Sequence, residues 1–268
     1  MSVEKPSTPE RRKIPHLLWG MIGHPRATLE YLSGHTGRTW WAPAALAVLL
    51  TILPIIAAAP LSTRQRREAI AVAREQQGER QQEMSAEEQA QMEQAMSVAA
   101  SPLITTVFPA AGSAVGTVVG WLLWAGTLYL AGTALGGRST FGQMFRTVVW
   151  AWIPYTVRGL VQTAYILVSG QLIQNPGLSG FAQGGPSADE VVISSPSLGQ
   201  IALRTLLGRI DLYLFWNLAL LVLGVMAVTR LSRRKALLLT LGVWLLLTAV
   251  SLVPSLVGGA FARQVGAP

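Results

Sequence analysis

Cysteine is absent from the 268 residues. That absence removes disulfide frameworks, zinc–thiolate sites and cysteine nucleophiles, and it leaves the compartment unreadable from redox chemistry. Charge is scarce as well. Asp, Glu, Lys and Arg together make 13% of the chain, where a soluble domain carries about 25%. Chemistry-bearing motifs are missing too: there is no P-loop, dinucleotide fingerprint, Gly-x-Ser-x-Gly or His-Glu-x-x-His. Only His16, His24 and His35 could offer imidazole, none at metal spacing on a helix, and they read as packing residues at a membrane interface. The expectation is a protein that is not an enzyme and uses no cofactor or metal.

What the chain has in quantity is apolar surface. Hydrophobic residues make 51% and the mean hydropathy is +0.41. The charges are clustered, so long stretches carry none, and such a pattern describes an all-α polytopic transmembrane bundle. Residues 1–13 are polar and end on the basic cluster Arg11, Arg12 and Lys13, and they read as a disordered N-terminus. No apolar run directly follows a basic start, so they do not read as a signal peptide. Residues 14–38 read as an amphipathic segment lying in the interface or packed on the bundle's end, with Pro25 opening its second helix.

Five spans are expected within residues 39–258. The first lies in the 25 uncharged residues between Arg38 and Arg64, where Trp40 and Trp41 suit an aromatic belt and Pro54 should kink the helix. Residues 64–93 then hold five arginines and seven glutamates at helical spacings, and Ser85 to Glu88 fits a capping box. They predict a solvated helical insertion, taken as 64–97, which could dock a protein partner. The next 44 residues, Gln94 to Gly137, are uncharged. One span over about Gly112–Leu135 is predicted there, preceded by a bent entry segment with Pro102 and Pro109. Gly112, Gly116 and Gly120 form a small-residue stripe that could pack within the chain or serve a homo-oligomer. Thr140 to Gln143 can cap the helix of the third span, Thr147–Ser169. An irregular loop with a short helix at Leu198–Leu207 follows, then a fourth span between Asp211 and Arg230. The fifth is Ala236–Val257, with a short tail at 259–268.

Two sets of residues invite function. The third span carries Tyr155, Arg158, Gln162, Tyr165 and Ser169 at three- and four-residue spacing, a polar face that should turn inward. An arginine mid-span costs about 2.5–3.5 kcal/mol on insertion scales. Asp211 is the only acidic residue near the following span and is named as its ionic partner, while a helix N-terminal cap is the plainer reading of that carboxylate. The second set is basic: Arg11, Arg12, Lys13, Arg233, Arg234 and Lys235 should meet anionic lipid headgroups. The net charge of +8 is therefore assigned to membrane lipid and not to nucleic acid. With five spans, the side holding the N-terminus carries 12 Lys and Arg against 8 on the other. This predicts an N-terminus inside, in a bacterial cytoplasmic membrane.

Several segments together resemble the Yip1 family of integral membrane proteins in its prokaryotic form. They are Gly23-His24-Pro25-Arg26-Ala27-Thr28-Leu29-Glu30-Tyr31-Leu32 before the first span, Leu135-Gly136-Gly137-Arg138-Ser139-Thr140-Phe141-Gly142-Gln143 with Pro154 after it, and Arg209 to Trp216 with Leu231-Ser232-Arg233-Arg234-Lys235-Ala236. The resemblance implies five spanning helices. Its eukaryotic members are associated with membrane traffic and small GTPases, but their Asp-Leu-Tyr-Gly-Pro signature is missing before the first span. Asp211-Leu212-Tyr213 lacks the Gly-Pro, so the GTPase role is not carried over. The expected function is a non-enzymatic organiser of lipid or protein partners. The alternative is a small transporter or channel using the polar face of the third span.

Overall fold

The computed structural model describes residues 12–35, 37, 39–76, 85–99, 101–182 and 197–265. Every regular element among them is helical. Two short helices, α1 (Ile14–Gly23) and α2 (Pro25–Gly34), begin the chain. Their inner faces bury Leu17, Met21, Leu29 and Leu32, while Trp19 and Ile22 stay exposed. The segment therefore packs on the bundle, chiefly through α2 against a later helix, and keeps an apolar outer face for the interface.

Among the described residues, four helices are long and apolar enough to cross a membrane: Trp41–Val72, Leu103–Ala134, Leu212–Thr229 and Arg233–Gly258. The first belongs to α3 (Trp41–Gln76), which carries the apolar span and the helix expected after Arg64 as one unbroken element. Pro54 and Pro60 sit inside it, and the charged stretch simply continues the helix out of its apolar part. Charged residues with strong helix propensity extend a helix at no packing cost. The insertion resumes in α4 (Ala86–Ala99). Its cap is the reciprocal pair expected, with Ser85 N–H donating to Glu88 Oε2 at 2.9 Å and Glu88 N–H donating to Ser85 Oγ at 3.3 Å. Arg66 Nη1 donates to the Ala99 carbonyl at 3.1 Å and ties the two pieces together at their base. Gly78, a natural divider between them, lies outside the described residues.

The entry segment expected before the second span is helical. A π-helical turn, Leu103–Val107, runs directly into α5 (Phe108–Ala134). Pro109 has no N–H to continue an ordinary ladder, and the widened turn just before it accommodates the loss. Gly136, at φ 86°, ends the helix end region in a left-handed turn.

The third expected span is divided. α6 (Phe141–Ala151) and α7 (Ile153–Ser169) meet at Trp152, and neither alone reaches 18 residues. Thr140 and Gln143 cap α6 reciprocally. The pair nevertheless runs between the same two ends as its neighbours. Arg138 N–H reaches the Thr229 carbonyl (3.3 Å) at one end, and the residues after α7 share a cleft with Arg64 at the other. A 3₁₀ turn, Ser179–Ala182, and α8 (Leu198–Leu207) follow, then α9 (Leu212–Thr229) and α10 (Arg233–Val265). α9 is the hub, touching α2, α5, α6, α7 and α10. The core lies nearer the end that holds α1 and α2: Ala44 and Ala47, Trp121 to Leu128, Met144 to Trp150, and Ala236 to Val243.

Candidate intramembrane polar site

Pro154 sits in the first turn of α7. Its missing N–H interrupts the ladder, and the Trp152 N–H turns back to the Val149 carbonyl at 3.2 Å. The Tyr155 N–H turns to the Trp152 carbonyl at 3.0 Å, which leaves the Ala151 carbonyl without a helical donor. Asn217 of α9, 1% exposed, supplies one: its Nδ2 donates to that carbonyl at 2.7 Å. A buried carbonyl left unpaired costs about 1–3 kcal/mol, so this bond fixes where α6 ends and α7 begins.

One turn further, Gly159 faces α3. A Cβ there would collide with the Leu50 carbonyl oxygen. That carbonyl is the one whose helical donor is lost at Pro54, four residues on. Proline in one helix and glycine in the other thus bring two backbones together and fix the rotation of α7. Arg158, beside Gly159, is then aimed at the start of α9.

There Arg158 Nη1 lies 3.0 Å from Asp211 Oδ2, with side chains 23% and 14% exposed. The other carboxylate oxygen, Oδ1, accepts the Leu214 N–H at 2.8 Å and caps α9. Asp211 therefore serves both readings of it, cap and counter-ion. A helix N-terminus favours a carboxylate, and the arginine meets a partner already held in place. Tyr155 is half-buried within electrostatic reach of Asp211, Arg158 and Arg209. Arg209, which the sequence does not single out, donates to Ser251 Oγ and links this corner to α10.

The polar face of α7 is not one site. Tyr155, Arg158 and Asp211 close on one another. Gln162 and Tyr165 instead line an open cleft of about 800 Å³ with Arg64 and Glu68 of α3 and the residues after Gly170. Arg64 and Glu68 pair with each other along α3, on one wall of the cleft, at 3.0 Å.

The basic candidates gather at the opposite end. Arg11 lies outside the described residues. The Arg12 guanidinium lies 4.9 Å from the centre of the Tyr31 ring, and the Arg12 backbone N–H donates to the Tyr31 hydroxyl at 3.0 Å. Lys13, Arg233, Arg234 and Lys235 are exposed. Gly112, Gly116 and Gly120 meet nothing: a Cβ at any of them would stand in open space.

The family model described as Yip1 domain matches residues 19–253. No curated protein and no solved structure matches the chain significantly. The match takes in both α1–α2 corner and α9, the elements that carry the resemblance, and the chain belongs to the Yip1 domain family of integral, multi-pass membrane proteins.

Proposed function

We propose that this Yip1-domain protein is a non-enzymatic organiser of the membrane, with its basic end holding anionic lipid in the cytoplasmic leaflet. The observation that carries this reading is the gathering of cations at one end. Lys13, Arg26 and the 230–235 turn lie around the α1–α2 corner, beside Arg138. Each positive charge near an anionic surface contributes about 1 kcal/mol. In this reading α6 and α7 together make a fifth crossing, the N-terminus is inside, and the membrane is a bacterial cytoplasmic one. The 64–97 insertion, whose described residues are largely exposed, then stands on the other side, available to a protein partner.

Lipid co-extracted with the protein in polymer discs tests this. Wild type should enrich anionic lipid over the bulk membrane, and neutralising Arg234 and Lys235 to Gln should remove most of the enrichment. An unbiased lipid shell around wild type would end the proposal, and a C-terminal reporter active only in the cytoplasm would overturn its orientation. The cleft at Gln162 and Tyr165 favours a second reading, a small solute path. Uptake into proteoliposomes that is lost in Gln162→Leu would support it.

A further inference from the structure

The groove between α9 and α10 carries an inference that rests on the lipid reading and makes it specific. It is about 700 Å³, walled by α9 residues such as Leu218, Val222 and Met226 and by Leu237, Leu241 and Trp244 of α10. Among the described residues, the charged ones that line it are Arg26 and Arg233. Arg233 opens α10 and so marks the basic end of the groove, while Leu214 and Ile210 lie toward the other. From Met226 to Leu214 a helix rises about 18 Å, slightly more than half of a ~30 Å hydrocarbon core. The groove thus has a cationic mouth at headgroup level and an apolar bed one leaflet deep.

We propose that this groove holds one anionic glycerophospholipid, its phosphate between Arg26 and Arg233 and an acyl chain along Leu237, Leu241 and Trp244. Glu30 engages Arg26 through Nε at 3.0 Å and steadies it. Arg233 makes no hydrogen bond or ion pair within the described residues. Three cations, Arg233, Arg234 and Lys235, stand in the first turn of α10, where the helix dipole disfavours positive charge. A phosphate there relieves their mutual repulsion and accepts from the first-turn N–H groups. A second copy of this chain fits the mouth less well. Seven of the thirteen acidic residues belong to 64–93, whose described parts lie at the other end, and Glu30 is already paired.

The test uses the full chain, delipidated in detergent and offered phosphatidylglycerol or phosphatidylcholine, with occupancy counted by native mass spectrometry. Wild type should retain one phosphatidylglycerol per chain with at least tenfold preference over phosphatidylcholine. Arg26→Gln with Arg233→Gln should erase the preference. Leu241→Trp should block retention of either lipid while leaving every charge in place, and Ala219→Phe does the same from the opposite wall if that variant fails to fold. Arg234→Gln with Lys235→Gln should keep the single lipid, although general enrichment around the protein falls. Equal retention of both lipids by wild type would overturn the proposal. So would unchanged retention in the groove-filling variants, or a lipid-free dimer that Leu241→Trp dissolves. General enrichment without the single retained lipid leaves the broader function standing and ends this inference alone.

Discussion

The two halves of the bundle differ in packing far more than in composition. Toward the basic end, α2, α6 and the adjoining turns of α3, α5, α9 and α10 enclose the buried residues. Toward the other end, none of residues 103–120 is buried, and a polar cleft opens beside α7. Apolarity does not explain the contrast. α9 is less apolar than α3 or α10 and yet the most buried of the spanning helices. Lipid tails satisfy a leucine as well as another helix does, so hydropathy decides crossing, while small residues and polar pins decide association. The glycines show this. A Cβ at Gly224 of α9 would collide with the Thr147 side chain, whereas Gly112, Gly116 and Gly120 face empty space.

The contrast can be broken most forcefully at those glycines. Gly224→Leu should force α9 from α6 and cost about 3 kcal/mol. Gly116→Leu should stay within about 0.5 kcal/mol. Thermal unfolding in detergent and membrane yield read both. An equal loss at Gly116 would mean that the stripe is covered, and would place a second copy there.

The ion pair should give a smaller and lopsided effect. Asp211→Leu strips the cap and strands a guanidinium near the membrane interior, costing about 2–3 kcal/mol. Arg158→Leu leaves the carboxylate its helix N-terminus and should cost about 1 kcal/mol. A double-mutant cycle without coupling would show that the two charges are separately solvated. Asn217→Leu, which orphans the Ala151 carbonyl, should cost about 1 kcal/mol in the same assay.

The smallest effect belongs to the insertion and depends on pH. The Ser85 N–H, and then its hydroxyl, hold the Glu88 carboxyl below the usual carboxylate range. The folded value is the lowered one. The cap is therefore fully present above the unfolded value of about 4.3 and is lost as pH falls through the folded value. Chemical shifts across residues 85–90 should lose helical character on acidification, and Glu88→Gln should flatten the response. A wild-type profile that stays flat through that range would remove the cap from the account.

Much of this could be read from residue types. Ser-x-x-Glu and Thr-x-x-Gln announce the caps of α4 and α6, because reciprocal bonding needs only those residues at that spacing. Ser197 and Gln200 cap α8 in the same way. The Arg158–Asp211 pair is legible because few acidic residues exist to choose from. Three features were hidden for physical reasons. The continuation of α3 past Arg64 is invisible to hydropathy, which marks the membrane boundary and not the helix end. The break at Trp152 depends on a bond that spans 66 residues, from Asn217 to the Ala151 carbonyl. The α9–α10 groove pairs Arg233 with Arg26 of a helix far earlier in the chain, a juxtaposition that only tertiary structure supplies.

The broken α6–α7 segment bears on biosynthesis. Its three debts, a severed carbonyl, a guanidinium and the Thr147 shoulder, are all settled by α9, through Asn217, Asp211 and Gly224. While the ribosome is still making the loop before residue 211, the segment carries an uncompensated arginine and an open backbone group. Lipid rejects both. In the five-crossing reading, release into the bilayer is thus favoured only after α9 has emerged, and the two are best delivered together. The exit of one helix from the insertion machinery waits on the translation of another.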